Sequence, residues 1–68
     1  MNATIRINGA EEALTAATVA ELLSARGIAQ ARGLAVAVNG TVVPSRAWRE
    51  AALEAGDEVE IVRPFGGG

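Results

Sequence analysis

Two Asn-Gly dipeptides, Asn8-Gly9 and Asn39-Gly40, constrain the fold of this chain more than any other feature. Both residues of such a pair tolerate positive φ, which suits the tight turn whose twist matches two paired strands. Each pair sits beside an alternating apolar run. "TIRI", Thr4 to Ile7, puts Ile5 and Ile7 on one face of a half-buried strand. Its partner strand is expected over 12–15, an alanine-rich stretch with weak strand preference. In "LAVAVNGTVV", Val36 and Val38 share a face before the turn, and Val42 and Val43 carry the chain back. Pro44 ends that pairing because it has no N–H to give. Two hairpins are therefore expected.

Between them, "TVAE" fits a capping box. The Thr18 hydroxyl would accept from an exposed backbone N–H, and Glu21 would reach back to the Thr18 N–H. Val19, Leu22 and Leu23 stand at i, i+3 and i+4, so they share one buried helix face. Glu21 in the first turn and Arg26 in the last complement the helix dipole. Gly27 supplies the left-handed residue that ends the helix. Further on, Ser45 is expected to cap a short helical turn carrying Trp48 and Leu53. "AGDE" should turn, and "EVEIV" should form a last strand with Val59 and Ile61 on one face.

Two hairpins around one full helix leave helices for only one face of the sheet, which is the α+β class. The compact solution places the last strand in the middle, beside the first. Strands so distant in sequence cannot share a tight turn, so that pair must be parallel. This is the β-grasp, or ubiquitin-like, arrangement: a mixed sheet of about five strands packed on one main helix. The domain is expected to span 1–63, and 64–68 to form a flexible tail ending in Gly-Gly.

Composition then removes most functions. A single domain of 68 residues draws only about 3–5 kcal/mol of net stability from its core. There is no cysteine, hence no disulfide, thiolate nucleophile or zinc cluster, and no histidine to titrate near neutral pH. Half of the residues are apolar, at 50%, so the core must hold the fold unaided. All six basic residues are arginines; against eight carboxylates they leave a net charge of −2, which argues against nucleic acid. Trp48 and Phe65 are the only aromatics, too few for a base-stacking platform. No apolar run approaches the ~20 residues that span a bilayer. "MNATIRING" lacks the basic start and apolar stretch of a signal peptide. A soluble cytoplasmic protein, monomeric when free, is expected. The missing lysine fits two causes: codon bias toward Ala, Gly and Arg, or a chain whose own amines must not attack an activated carboxyl end.

The remaining reactive groups are carboxylates. Glu11-Glu12 and Asp57-Glu58 are adjacent in sequence, so in strands or turns they point apart and form no dyad. "PFGGG" lacks the Gly-Lys-Ser/Thr and following helix of a phosphate-binding loop. The chain is thus expected not to be an enzyme and to bind no cofactor or metal itself.

The stretches "AVAVNGTVVPSRAW" and "LEAGDEVEIV", followed by Gly67-Gly68, resemble the ThiS family of sulfur carriers in thiamine biosynthesis. The matching positions are Val38-Asn39, Val43-Pro44, Trp48, Gly56-Asp57, Glu60-Ile61 and Gly67-Gly68, and the resemblance covers essentially the whole chain. It implies a protein cosubstrate. A ThiF-like adenylating enzyme would use ATP to activate the Gly68 carboxylate, sulfur would displace AMP to give a thiocarboxylate, and the thiazole synthase ThiG would take the sulfur. Gly67, Gly66 and Phe65 would then enter the partner's active site, with Arg63 and Pro64 as possible partner contacts.

Several roles stay open. Phe65 either anchors the tail in a partner's apolar groove or folds back on its own sheet. Asp57, Glu58 and Glu60 either meet a basic patch on a partner or form a solvated face with a turn aspartate. Trp48 is read as a wall of the core. The MoaD-like small subunit of molybdopterin synthase is the nearest alternative; its tail typically carries Pro-Pro before Gly-Gly, where this chain has Pro64 singly. A ubiquitin-like protein modifier and an inert β-grasp interaction domain are alternatives from other classes.

Overall fold

A computed structural model describes residues 3–28 and 33–63. In chain order they form β1 (Thr4–Ile7), β2 (Ala10–Ala13), α1 (Val19–Ala25), β3 (Ala35–Val38), β4 (Thr41–Val43), a 3-10 turn (Ser45–Ala47) and β5 (Glu58–Val62). The strands make one five-stranded sheet in the order β2-β1-β5-β3-β4. β5 lies at the centre, parallel to β1 with Arg6 beside Glu58 and Ile7 beside Val59. It is antiparallel to β3 on its other side, from Ala35 beside Val62 to Val38 beside Val59. This is the expected mixed sheet of the β-grasp arrangement.

Both Asn-Gly pairs turn as anticipated. Asn8 and Asn39 each have φ 52°, and Gly9 and Gly40 have φ 85° and 83°. The turn also fixes the register of the first hairpin. Ile7 faces Ala10 across it, so β2 starts at Ala10 and ends at Ala13, two residues earlier at each end than its alanine-rich sequence suggested. Pairing geometry outweighs the weak strand preference of these residues.

Helix α1 opens at Thr18, whose Oγ1 accepts a hydrogen bond from the Glu21 N–H at 3.2 Å. The reciprocal bond differs from the expected box: Glu21 Oε1 accepts from the Ala17 N–H at 2.9 Å. Thr18 is held extended by a bridge to Ala52, in which the Ala17 carbonyl accepts from Leu53 and the Val19 N–H donates to Ala51. Glu21 takes the Ala17 N–H that this pairing leaves over. Gly27, at φ 77°, closes the helix: the Ile28 N–H donates to the Leu23 carbonyl at 2.9 Å. Arg26 is the C-cap residue, and its Nη1 donates to both oxygens of Glu12 at 2.9 and 3.1 Å, tying the helix end to β2. Ser45 lies inside the 3-10 turn instead of capping it. Pro44 stands at the cap, without a side-chain bond, because its fixed φ of −65° starts the turn.

Alternation along the strands sends Ile5, Ile7, Val36, Val59 and Ile61 toward the helix, where they meet Val19, Leu22 and Leu23. Trp48 and Leu53 close the same cluster. Ile5, Val19, Val36 and Val59 are the most completely buried. Each such side chain contributes about 1.5–3 kcal/mol through burial. Among the described residues, no helix is long and apolar enough to cross a membrane.

A core this small leaves little margin. Ile5→Ala should cost about 2–5 kcal/mol, close to the whole stability of the domain, and leave the chain largely unfolded by circular dichroism at 25 °C. Ile5→Val should cost about 0.5–1.5 kcal/mol and remain folded with a lower Tm. Val42→Thr, at a residue 68% exposed, should stay within about 0.5 kcal/mol of wild type.

Candidate functional site

The region of interest is the strand that leads into the glycine tail. β5 begins after a tight turn in which Gly56 has φ 88°. Asp57 holds that turn: its Oδ2 accepts from the Glu54 N–H at 2.8 Å, and its Oδ1 accepts from Asn39 Nδ2 at 3.1 Å. Of the two readings left open for Asp57, its carboxylate serves the turn.

The two turn asparagines do a second job that sequence reasoning missed. Asn39 Oδ1 accepts from the Glu58 N–H at 3.0 Å, and the Asn39 N–H donates to the Glu58 carbonyl at 2.7 Å. At the other end of β5, Asn8 Oδ1 accepts from the Ile61 N–H at 2.8 Å while Asn8 Nδ2 donates to the Ile61 carbonyl at 3.3 Å. β5 is thus gripped at both ends by the side chains of the two Asn-Gly turns. The available signal was the residue type, since Asn offers a donor and an acceptor together.

The face of the sheet turned away from α1 carries Arg6, Glu58, Glu60 and Val62. Glu58 Oε2 lies 3.8 Å from Arg6 Nε, both well exposed, so this pair adds little stability. Val62 is 61% exposed and stands beside Ala35; Val42, 68% exposed, stands beside Ala37. Glu60, paired with Ala37, borders the group with a carboxylate. Glu11 and Glu12 face Arg6 and Ile5, on opposite sides of the sheet, and form no dyad.

Trp48 is 8% exposed, and its indole Nε1–H donates to the Val43 carbonyl at 2.8 Å. It is a core wall, as read from sequence. It also lines a cleft of about 360 Å³ on the helix side, with Leu23, Ile28 and Leu34. A smaller hollow of about 240 Å³ lies over β5 between Gly9 and Gly40, lined also by Glu58 and Glu60. Among the described residues, no group of three or more His, Cys, Asp or Glu could hold a metal ion. Arg63 directly follows β5 and is exposed. Pro64, Phe65, Gly66, Gly67 and Gly68 lie outside the described residues.

A five-stranded mixed sheet with a central parallel β1–β5 pair and α1 on one face defines a β-grasp domain, the class of ubiquitin-like proteins. Within that class, the ThiS family model matches residues 2–68, and the chain belongs to the ThiS family. It is similar to the crystal structure of the thiamine biosynthesis protein ThiS from Geobacter metallireducens, with 35% identity and a TM-score of 0.78. That match covers 96% of this chain and 99% of the other. A search of the curated proteins returned no match.

If Asp57 serves the turn, Asp57→Ala should cost about 1 kcal/mol, read from a urea melt, through loss of its two hydrogen bonds. An unchanged midpoint would remove Asp57 from the turn's support.

Proposed function

We propose that this chain is a sulfur carrier of thiamine biosynthesis whose working group is the Gly68 carboxylate. The observation that carries this reading is the extent of the family match, which runs through residue 68 and so includes the glycines that follow β5. The 35%-identical structure of a thiamine biosynthesis protein supports the pathway.

The chemistry asks little of this chain and much of its partners. A carboxylate is a poor electrophile. Its attack on the α-phosphorus of ATP, with pyrophosphate leaving, converts it to an acyl-adenylate. Sulfide then adds to the carbonyl carbon and AMP leaves, giving the thiocarboxylate. The ATP would be bound by a ThiF-like adenylating enzyme, and the sulfur would pass to a ThiG-type thiazole synthase. Glycine suits the reacting end because it has no Cβ, so the chain passes a narrow channel in conformations closed to other residues. It is also achiral and cannot racemise when activated. From Arg63 to Gly68, extended chain reaches about 20 Å, at ~3.3–3.6 Å per residue. Gly66, Gly67 and Phe65 would enter the partner's site, with Arg63 and Pro64 at its rim. Val62, Ala35 and Val42 offer that partner an apolar patch, and Glu58 and Glu60 an acidic border that would steer a basic surface toward it.

Incubation with ATP, an adenylating enzyme active on a ThiS-family carrier, and sulfide should exchange one oxygen for sulfur on the terminal peptide, read by mass spectrometry. An unchanged mass would sink the proposal. Deleting Gly67 and Gly68 should leave the melting curve within about 0.5 kcal/mol of wild type and abolish the exchange. Reversing Glu58 and Glu60 to lysine should slow association with the partner about tenfold at low salt and lose that effect at high salt.

A further inference from the structure

The central strand is held differently on its two sides, and the difference falls where the tail begins. In β5 and just before it, residues 57, 59 and 61 turn their backbone groups toward β1. The Arg6 N–H donates to the Asp57 carbonyl at 3.0 Å, and the Asn8 N–H donates to the Val59 carbonyl at 2.9 Å. Beyond that point β1 has no backbone to offer, because Asn8 at φ 52° bends the chain away into its hairpin. Ile61 would face that side alone. The Asn8 side chain fills the gap: its carboxamide meets both backbone groups of Ile61, at 2.8 and 3.3 Å. Only one orientation of the amide satisfies both, oxygen toward the Ile61 N–H and nitrogen toward its carbonyl. On the other side β3 continues to the Ala35–Val62 pair.

We propose that Asn8 is a positioning residue for transfer at the tail. Its carboxamide keeps β5 held from both sides up to Ile61 and so fixes the strand end that a partner meets. This rests on the sulfur-carrier reading above. Without the carboxamide, the β1 side releases β5 after Val59, and the last strand residues hang on β3 alone. Such a strand pivots. A partner would then meet the productive direction less often, and apparent affinity falls by that fraction. Once seated, the tail is held by the partner, so the loss falls on KM and spares kcat.

Asn39 provides a control at the other end of the strand. Its Oδ1 accepts from the Glu58 N–H while its Nδ2 donates to Asp57 Oδ1, and it has the same φ of 52°. Glycine keeps that backbone without strain, and the added freedom of the unfolded chain is common to Asn8→Gly and Asn39→Gly, so the two variants differ in which side-chain bonds they lose. In Asn8→Gly, amide hydrogen exchange at Ile61 should quicken about three- to tenfold, with no such change in Asn39→Gly. In adenylation assays, Asn8→Gly should raise KM for the carrier about three- to tenfold with kcat within about twofold, whereas Asn39→Gly, equally or more lowered in Tm, should keep its KM. Unchanged exchange at Ile61 in Asn8→Gly overturns the proposal. So does a KM that rises equally in both variants, or a loss confined to kcat. A wild-type chain that an active partner does not adenylate overturns the carrier reading itself, and the role of Asn8 with it, whatever the exchange shows.

Discussion

The parallel pairing of β5 with β1 is the constraint on which the rest depends. It joins the two ends of the domain, bringing residue 58 beside residue 6. No local turn can make that contact, so the chain must cross from one hairpin to the other before it returns beside β1. Once made, it puts Val59 and Ile61 into the middle of the core, where they meet Ile5, Ile7, Val36 and the α1 face. The sheet centre is therefore built from β5, the last of the described strands.

That placement explains a division of labour. Stability resides in an apolar core in a chain without cysteine, and the described polar side chains that matter are spent on geometry. Asn8, Asn39 and Asp57 bind backbone groups at the ends of β5 and in the turn before it. Arg26 and Glu12 tie the helix end to β2.

Much of this was readable in advance. The Asn-Gly pairs, the i, i+3, i+4 spacing of Val19, Leu22 and Leu23, and the alternation in "EVEIV" act through local rules, and each element formed where those rules put it. β2 did not follow its own residues, because the hairpin turn set its register and alanine resists little. Glu21 reached Ala17 in place of Thr18 because a bridge to Ala52, distant in sequence, had organised that backbone. The Pro44 cap went unread because the fixed proline ring replaces the side-chain bond that a serine cap would make.

For the candidate site the line falls in a similar place. Residue order alone showed a chain without thiol, imidazole or amine side chains, with glycines after a strand, and motifs that resembled the ThiS family more than its MoaD-like alternative. Those are properties of composition and spacing, which need no folding to exist. Only the tertiary structure decided what the asparagines of the two turns do. Their positive φ was local and predictable. Their grip on Glu58 and Ile61 was not, because those partners lie 19 and 53 residues away and arrive only when β5 enters the sheet centre.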